Sequence, residues 1–170
     1  MKILALSDSH NDNKLMYEVL EMLGGKIQTV LFMGDCVDDI IDYTYICENA
    51  DVHYVAGNCD VNYLRPRDKE IEAGGKKIFI THGNQYDIKN SHDVILKEAK
   101  LRKADICLYG HSHSPEVFEE DGIFFMNPGS ISLPRGISIY PTYGIIDIDE
   151  NGVSGKIISV EYGKFKEFQF

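Results

Sequence analysis

Short apolar runs, each cut off by a polar loop and followed by a segment of helical period, constrain this chain more than any other feature. Lys2 to Ser7 is rich in Ile, Leu and Ala, stops at Asp8-Ser9-His10, and reads as a buried strand. Asn11-Asp12-Asn13 then offers a helix N-cap. Leu15, Met16, Val19, Leu20 and Leu23 follow at helical spacing, and Gly24-Gly25 stops the helix. The unit repeats with Thr29 to Met33 as a strand, Gly34-Asp35-Cys36 as a loop, and a helix from about Val37 to Glu48 carrying Ile40, Ile41, Tyr45 and Ile46. A third run, Val52 to Ala56, ends in Gly57-Asn58-Cys59-Asp60. Strands alternating with helices pair in parallel through crossovers, and such sheets gather ligand sites beyond the carboxyl ends of their strands.

From Val61 the pattern changes. Asn62 to Arg67 is an irregular loop with two cations, and Lys69 to Ala73 and Lys76 to Thr81 flank Gly74-Gly75, a two-residue hairpin signal. The second arm ends in His82-Gly83-Asn84. Ser91 to Arg102 carries Val94, Ile95, Ala99 and Leu101 on a helix, and Ile106 to Tyr109 is a strand running into Gly110-His111-Ser112-His113. Glu116 to Glu119 with Ile123 to Met126, and Tyr143 to Ile148 with Val153 to Val160, read as two further hairpins. So many strands with so few helices predict a mixed α/β protein packed as a two-sheet sandwich covered by helices. No linker or composition shift divides the 170 residues, so 1–170 is expected to form a single domain.

Charge narrows the partners. With 17 Lys and Arg against 27 Asp and Glu the net charge is −10. That disfavours an electrostatic grip on long nucleic acid or an anionic membrane, both of which need a basic face, but leaves a small phosphodiester as a partner. No apolar run approaches the ~20 residues of a membrane span, and a cytoplasmic protein is expected. Cys36, Cys47, Cys59 and Cys107 contain no C-x-x-C pair and suggest neither structural zinc nor a disulfide framework. The closing Tyr162, Phe165, Phe168 and Phe170 would either pack on the sheets or mark a dimer interface.

Five of the apolar runs end in metal-ligand residue types. Collected, they are Asp8, His10, Asp35, Asn58, His82, His111 and His113, two carboxylates, one amide and four imidazoles. That number of O and N donors exceeds one ion's needs. It suits two neighbouring divalent transition metals, manganese first, with nickel, iron, cobalt or zinc as alternatives. Asp35 is the candidate bridge between ions ~3.5–4 Å apart. Asp8 and Asp35 also stand where Asp commonly caps a helix, yet both are followed by better-placed caps, so ligation is favoured. His53 and His92 lie outside the set and are expected to be structural. Arg65, Arg67 and Arg135 are the candidate phosphate clamps.

The ordered set Asp8-x-His10, Gly34-Asp35, Gly57-Asn58-x-Asp60, His82-Gly83 and Gly110-His111-x-His113 resembles the signature of the calcineurin-like metallophosphoesterase superfamily. It looks closest to the small single-domain phosphodiesterases of bacteria and archaea, and the Asn127-Pro128-Gly129-Ser130 loop is also similar. The resemblance implies a four-layer αββα sandwich with a binuclear centre. Asp8, His10 and His113 would hold one metal, Asn58, His82 and His111 the other, and Asp35 both. A metal-bridging hydroxide would attack phosphorus in line, and Asp60 would orient a ligand.

One departure stands out. Many members carry His after the asparagine, where this chain has Cys59, a thiol of ordinary pKa ~8.5 that replaces imidazole poorly as a general acid. The resemblance also brings two rival functions. One is a protein-interaction scaffold like the retromer subunit of similar fold, whose ligand set is incomplete. The other is a nuclease, against which the net charge counts.

Overall fold

The computed structural model describes residues 1–42, 44–47, 50–61 and 64–170. In chain order the elements are β1 (Lys2–Leu6), α1 (Lys14–Leu23), β2 (Thr29–Phe32), α2 (Val37–Ile41), β3 (Asp51–Tyr54), β4 (Asp68–Ala73) and β5 (Lys76–Thr81). They continue with α3 (Asp93–Arg102), β6 (Ile106–Leu108), β7 (Glu116–Glu120), β8 (Ile123–Asn127), β9 (Thr142–Asp149), β10 (Gly152–Glu161) and β11 (Lys164–Glu167). The strands form a six-stranded sheet in the order β11-β10-β9-β1-β2-β3 and a five-stranded sheet in the order β4-β5-β6-β8-β7. β1, β2 and β3 run parallel in the first sheet, and β5, β6 and β8 in the second.

Successive side chains on a strand point to opposite faces, so each strand here feeds two cores. On β1, Ile3 and Ala5 face the second sheet, where they meet Ile78, Ile80, Ile106, Leu108 and Met126. Leu4 and Leu6 face the other way and pack with Val30 and Phe32 of β2 against Met16, Val19 and Leu20 of α1 and Val37 and Ile40 of α2. The outer face of the second sheet does the same. Phe79, Cys107 and Phe125 pack with Ile95 and Ala99 of α3. The result is helix, sheet, sheet, helix, the four-layer sandwich expected. Both faces of the parallel strands are covered, which is why β1, β2 and β6 read as continuous apolar runs rather than alternating ones.

Two elements differ from expectation. The helix expected from Val37 to Glu48 stops at Ile41, where the Thr44 hydroxyl donates to the Ile41 carbonyl at 3.1 Å and takes up an acceptor that a continuing helix would use. Thr44–Cys47 forms a 3-10 turn, while Tyr43, Glu48, the side chain of Ile46, and Asn62 and Tyr63 of the 62–67 loop lie outside the described residues. The aromatic tail is partly a strand. β11 turns back on β10 through Tyr162 and Gly163, both at positive φ (49° and 74°). Phe168 packs into the core between the sheets and Phe165 sits edge-on to Tyr143.

Candidate metal centre

The carboxyl ends of five parallel strands, β1, β2 and β3 from one sheet and β5 and β6 from the other, open toward one place. Asp8, His10, Asp35, His111 and His113 all adopt left-handed backbone, with φ of 57°, 49°, 60°, 65° and 60°. Non-glycine residues avoid that region, and each such residue costs about 1 kcal/mol or more unless its surroundings hold it there. The surroundings are identifiable. Ser130 and Ser132 hydroxyls donate to the Asp8 carbonyl at 2.7 and 3.1 Å. The Asp39 carboxylate gathers the Ser9 hydroxyl, the Asn11 N–H and the Asn13 amide. Asn127 Nδ2 donates to the Gly110 carbonyl and to Ser112 Oγ.

Within this frame the side chains form two groups. Asp8 Oδ1 lies 3.2 Å from His113 Nε2 and 3.9 Å from His10 Nε2, and the two Nε2 atoms are 3.1 Å apart. Asp8, His10, Asp35 and His113 each present a ligand atom within 4.8 Å of the others. On the other side His82 Nε2 is 3.2 Å from Asn58 Oδ1, and the His111 ring meets the His82 ring edge-on with centroids 5.1 Å apart. Asp35 stands between the groups, Oδ2 3.6 Å from His10 Nε2 and Oδ1 3.4 Å from His82 Nε2. His111 and His113, two residues apart in sequence, fall in different groups.

The imidazole tautomers follow from their outer partners. His82 Nδ1 lies 2.6 Å from the Met33 carbonyl and His113 Nδ1 2.6 Å from the Leu133 carbonyl. A carbonyl only accepts, so each Nδ1 carries a proton and each neutral ring turns the lone pair of Nε2 into the site, the form that binds a metal. Asp8 Oδ1 is buried and makes no hydrogen bond, although Oδ2 accepts from Ser7 Oγ and the His111 N–H. A buried carboxylate oxygen without a donor is costly, and the lone pair of His113 Nε2, 3.2 Å from it, adds repulsion. A cation among these atoms would relieve both.

The backbone is cut to fit. A Cβ at Gly57 would come 2.1 Å from Asp35 Oδ1, and one at Gly110 would come 2.0 Å from Ser7 Oγ and 2.7 Å from Asp8 Oδ2. The donor set, two carboxylates, an amide oxygen and imidazoles, suits divalent transition metals.

Burial would raise the Asp35 carboxyl, but the His82 ring and the Cys59 N–H, 2.8 Å from Oδ1, outweigh it and hold the group below the ordinary carboxylate range. Burial likewise opposes charge on His82, and the Asp35 and Asp8 carboxylates overcome it and raise that imidazole. His111 is pushed down to about 4, first by burial and then by the charges of His82 and Lys89. The Cys59 thiol is pushed up to about 11 by burial and by Asp35.

Asp60 touches none of the facing ligand atoms. Its carboxylate accepts the backbone N–H groups of Asp35 (3.1 Å), Val37 (2.8 Å) and Gly57 (2.8 Å), tying two loops together. Asp8 and Asp35 cap no helix. Arg65 pairs with Asp38, and Arg67 donates to the Gly57 carbonyl at 3.1 Å, so both are committed within the protein. His53 bonds Lys69 and His92 pairs with Glu116, in keeping with structural roles. Ser130 belongs to the Asn127-Pro128-Gly129-Ser130 loop that the sequence singled out, whereas Asp39 and Ser132 escaped sequence reasoning; the one signal for Asp39 was two adjacent acidic residues opening α2, of which it is the buried one.

Comparison with known proteins points one way. The model of the calcineurin-like phosphoesterase superfamily domain matches residues 1–151. A probable metallophosphoesterase of Mycoplasma pneumoniae is 30% identical over 156 residues, covering 90% of this chain and 93% of its own. The vacuolar protein sorting-associated protein 29 of Schizosaccharomyces pombe is 28% identical over 161 residues, covering 87% and 85%. A conserved Streptococcus pneumoniae protein described as a predicted phosphoesterase superimposes with a TM-score of 0.81 at 34% identity, covering 98% of this chain and 96% of that one.

Proposed function

Since the chain belongs to the calcineurin-like phosphoesterase superfamily, we propose that it is a metal-dependent phosphodiesterase acting on a small phosphodiester. The observation that carries a two-metal reading is Asp35, whose two oxygens face separate histidine groups at 3.6 and 3.4 Å. Asp8, His10 and His113 would hold one ion, Asn58, His82 and His111 the other, and Asp35 both. Divalent ions held there would neutralise charge on the phosphate and activate water for attack on phosphorus.

The chain's own residues do the rest. His82 and His113 are locked with Nε2 inward by the Met33 and Leu133 carbonyls, and Asp60 holds the Asp35 and Gly57 backbones in register. Cys59 is exposed at the rim, and its thiol stays protonated at neutral pH. A thiol is a weak hydrogen-bond donor, so it gives a departing oxygen little help. The enzyme therefore favours esters whose leaving group needs no proton.

The test uses chelated protein, restored singly with Mn, Ni, Co, Fe or Zn, against a chromogenic aryl phosphodiester. Hydrolysis returning with metal supports the reading, and none with any of the five overturns it. Asp35→Asn and His111→Ala are each expected to lose most of the rate; full activity in both would show the site to be misassigned. The relative from Schizosaccharomyces pombe favours a second reading, an interaction module of the same fold. Metal binding without turnover of any phosphoester would select it.

A further inference from the structure

Beside the candidate metal cluster lies a groove of about 550 Å³, within the range of small-molecule sites, lined by Lys89, Arg135, Ser112 and Ser114 among others. Those two serines alternate with His111 and His113, so the groove starts one residue from two candidate ligands. Among the described residues, eight of the 17 Lys and Arg are engaged by carboxylates, and the two cations of the groove are not. Lys2, Arg65, Lys76, Lys77, Lys100, Arg102, Lys156 and Lys166 each pair with a carboxylate. Among the described residues, no carboxylate lies within ion-pair distance of Lys89 or Arg135.

The acid in the groove, Glu116, is instead turned to His92 at 3.2 Å. The backbone N–H of Arg135 donates to the His113 carbonyl at 3.1 Å, which ties this wall of the groove to a candidate ligand. In a protein of net charge −10, two uncommitted cations flanking the approach to a phosphate-handling cluster form a local field for a second anion.

We propose that this groove is an anion subsite contiguous with the metal centre, with Lys89 and Arg135 clamping a phosphate other than the one cleaved. The preferred substrate is then a phosphodiester carrying an additional phosphate group. This deepens, and rests on, the phosphodiesterase reading above.

A matched pair of chromogenic esters tests it: thymidine 5′-(p-nitrophenyl phosphate), with and without a 3′-phosphate, hydrolysed by the metal-restored enzyme. The 3′-phosphate is expected to raise kcat/KM roughly ten-fold or more, the worth of a charge-assisted contact. In K89A/R135A the ratio falls toward one, and in K89R/R135K most of it persists. Equal rates for the two esters in the wild type, or a ratio that K89A/R135A leaves unchanged, would overturn the subsite.

Calorimetry separates this from failure of the enzyme reading. Metal-free protein is expected to bind thymidine 3′,5′-bisphosphate more tightly than thymidine 5′-phosphate, and K89A/R135A to lose the difference. If that preference holds while neither ester is hydrolysed with any metal, the phosphodiesterase reading falls and the anion site stands. Equal binding of the two nucleotides removes the site itself.

Discussion

At the scale of single residues, Cys59 and Asp60 are neighbours with separable roles. Cys59 stands at the rim with its thiol held neutral, so aryl diesters should be cleaved far faster than alkyl diesters of the same charge. Cys59→His is expected to narrow that gap by up to ~100-fold, the lower end of what a positioned general acid contributes. The aryl-to-alkyl ratio of kcat/KM in the two proteins checks it. Asp60 acts through others. Asp60→Ala leaves the N–H groups of Asp35, Val37 and Gly57 without their acceptor, at about 1 kcal/mol each, so a loss of about 3 kcal/mol in urea denaturation is expected. Metal affinity should fall roughly 10- to 100-fold with it, as for other outer-shell partners. Asp60 could be singled out from the Gly57-Asn58-x-Asp60 spacing. Two of its three partners could not, because they are backbone groups 23 and 25 residues away.

At the scale of elements, the sheets are held close by glycines on β9 and β10. A Cβ at Gly144 would meet Met126 Sδ at 2.5 Å and Ala5 Cβ at 3.2 Å, and one at Gly155 would meet Phe124 at 2.6 Å. Gly144→Val should cost about 1–3 kcal/mol through overpacking, read as a lower denaturation midpoint with the slope unchanged. On the other side, Tyr86 packs under the second sheet and donates to Asp68 Oδ2 at 2.5 Å. Its hydroxyl is pushed up to about 12, by burial first and then by Asp68. Between pH 10 and 12 the unfolded chain therefore releases a proton that the native chain keeps, and stability falls as pH rises through that window. Tyr86→Phe should flatten this part of the stability profile, measured by denaturant titration at each pH. The strands were legible in the sequence as short apolar runs cut off by polar loops, and burial on both faces is why the runs are continuous and do not show which side chain faces which core. The early end of α2 was not legible. It depends on the Thr44 hydroxyl reaching back to Ile41, a local contact that hydrophobic spacing does not encode.

For the whole molecule, a metal held at the candidate cluster would be coupled to the fold, because its ligands converge only when five strand ends are assembled. An ion that binds the native state alone, at ~100 times its dissociation constant, stabilises by about 2.7 kcal/mol. For a chain of this length that is a rise of roughly 5–10 °C in Tm on adding metal to chelated protein, and Asp35→Asn should abolish it. The residue types and their order along the chain were determined by the sequence alone: Asp, Asn and His end successive apolar runs, and that pattern sufficed for the superfamily and the parallel strands. Tertiary structure decided how they divide. His111 and His113 share one short loop, yet the left-handed backbone at both sends one ring to His82 and the other to Asp8 and His10, which come from different sheets. Asp39, Ser130 and Asn127 became part of the centre the same way, as hydrogen-bonding groups brought to its backbone from distant elements. Contacts between residues up to 124 apart in sequence are set by how two sheets stack, and no local pattern in the chain carries that information.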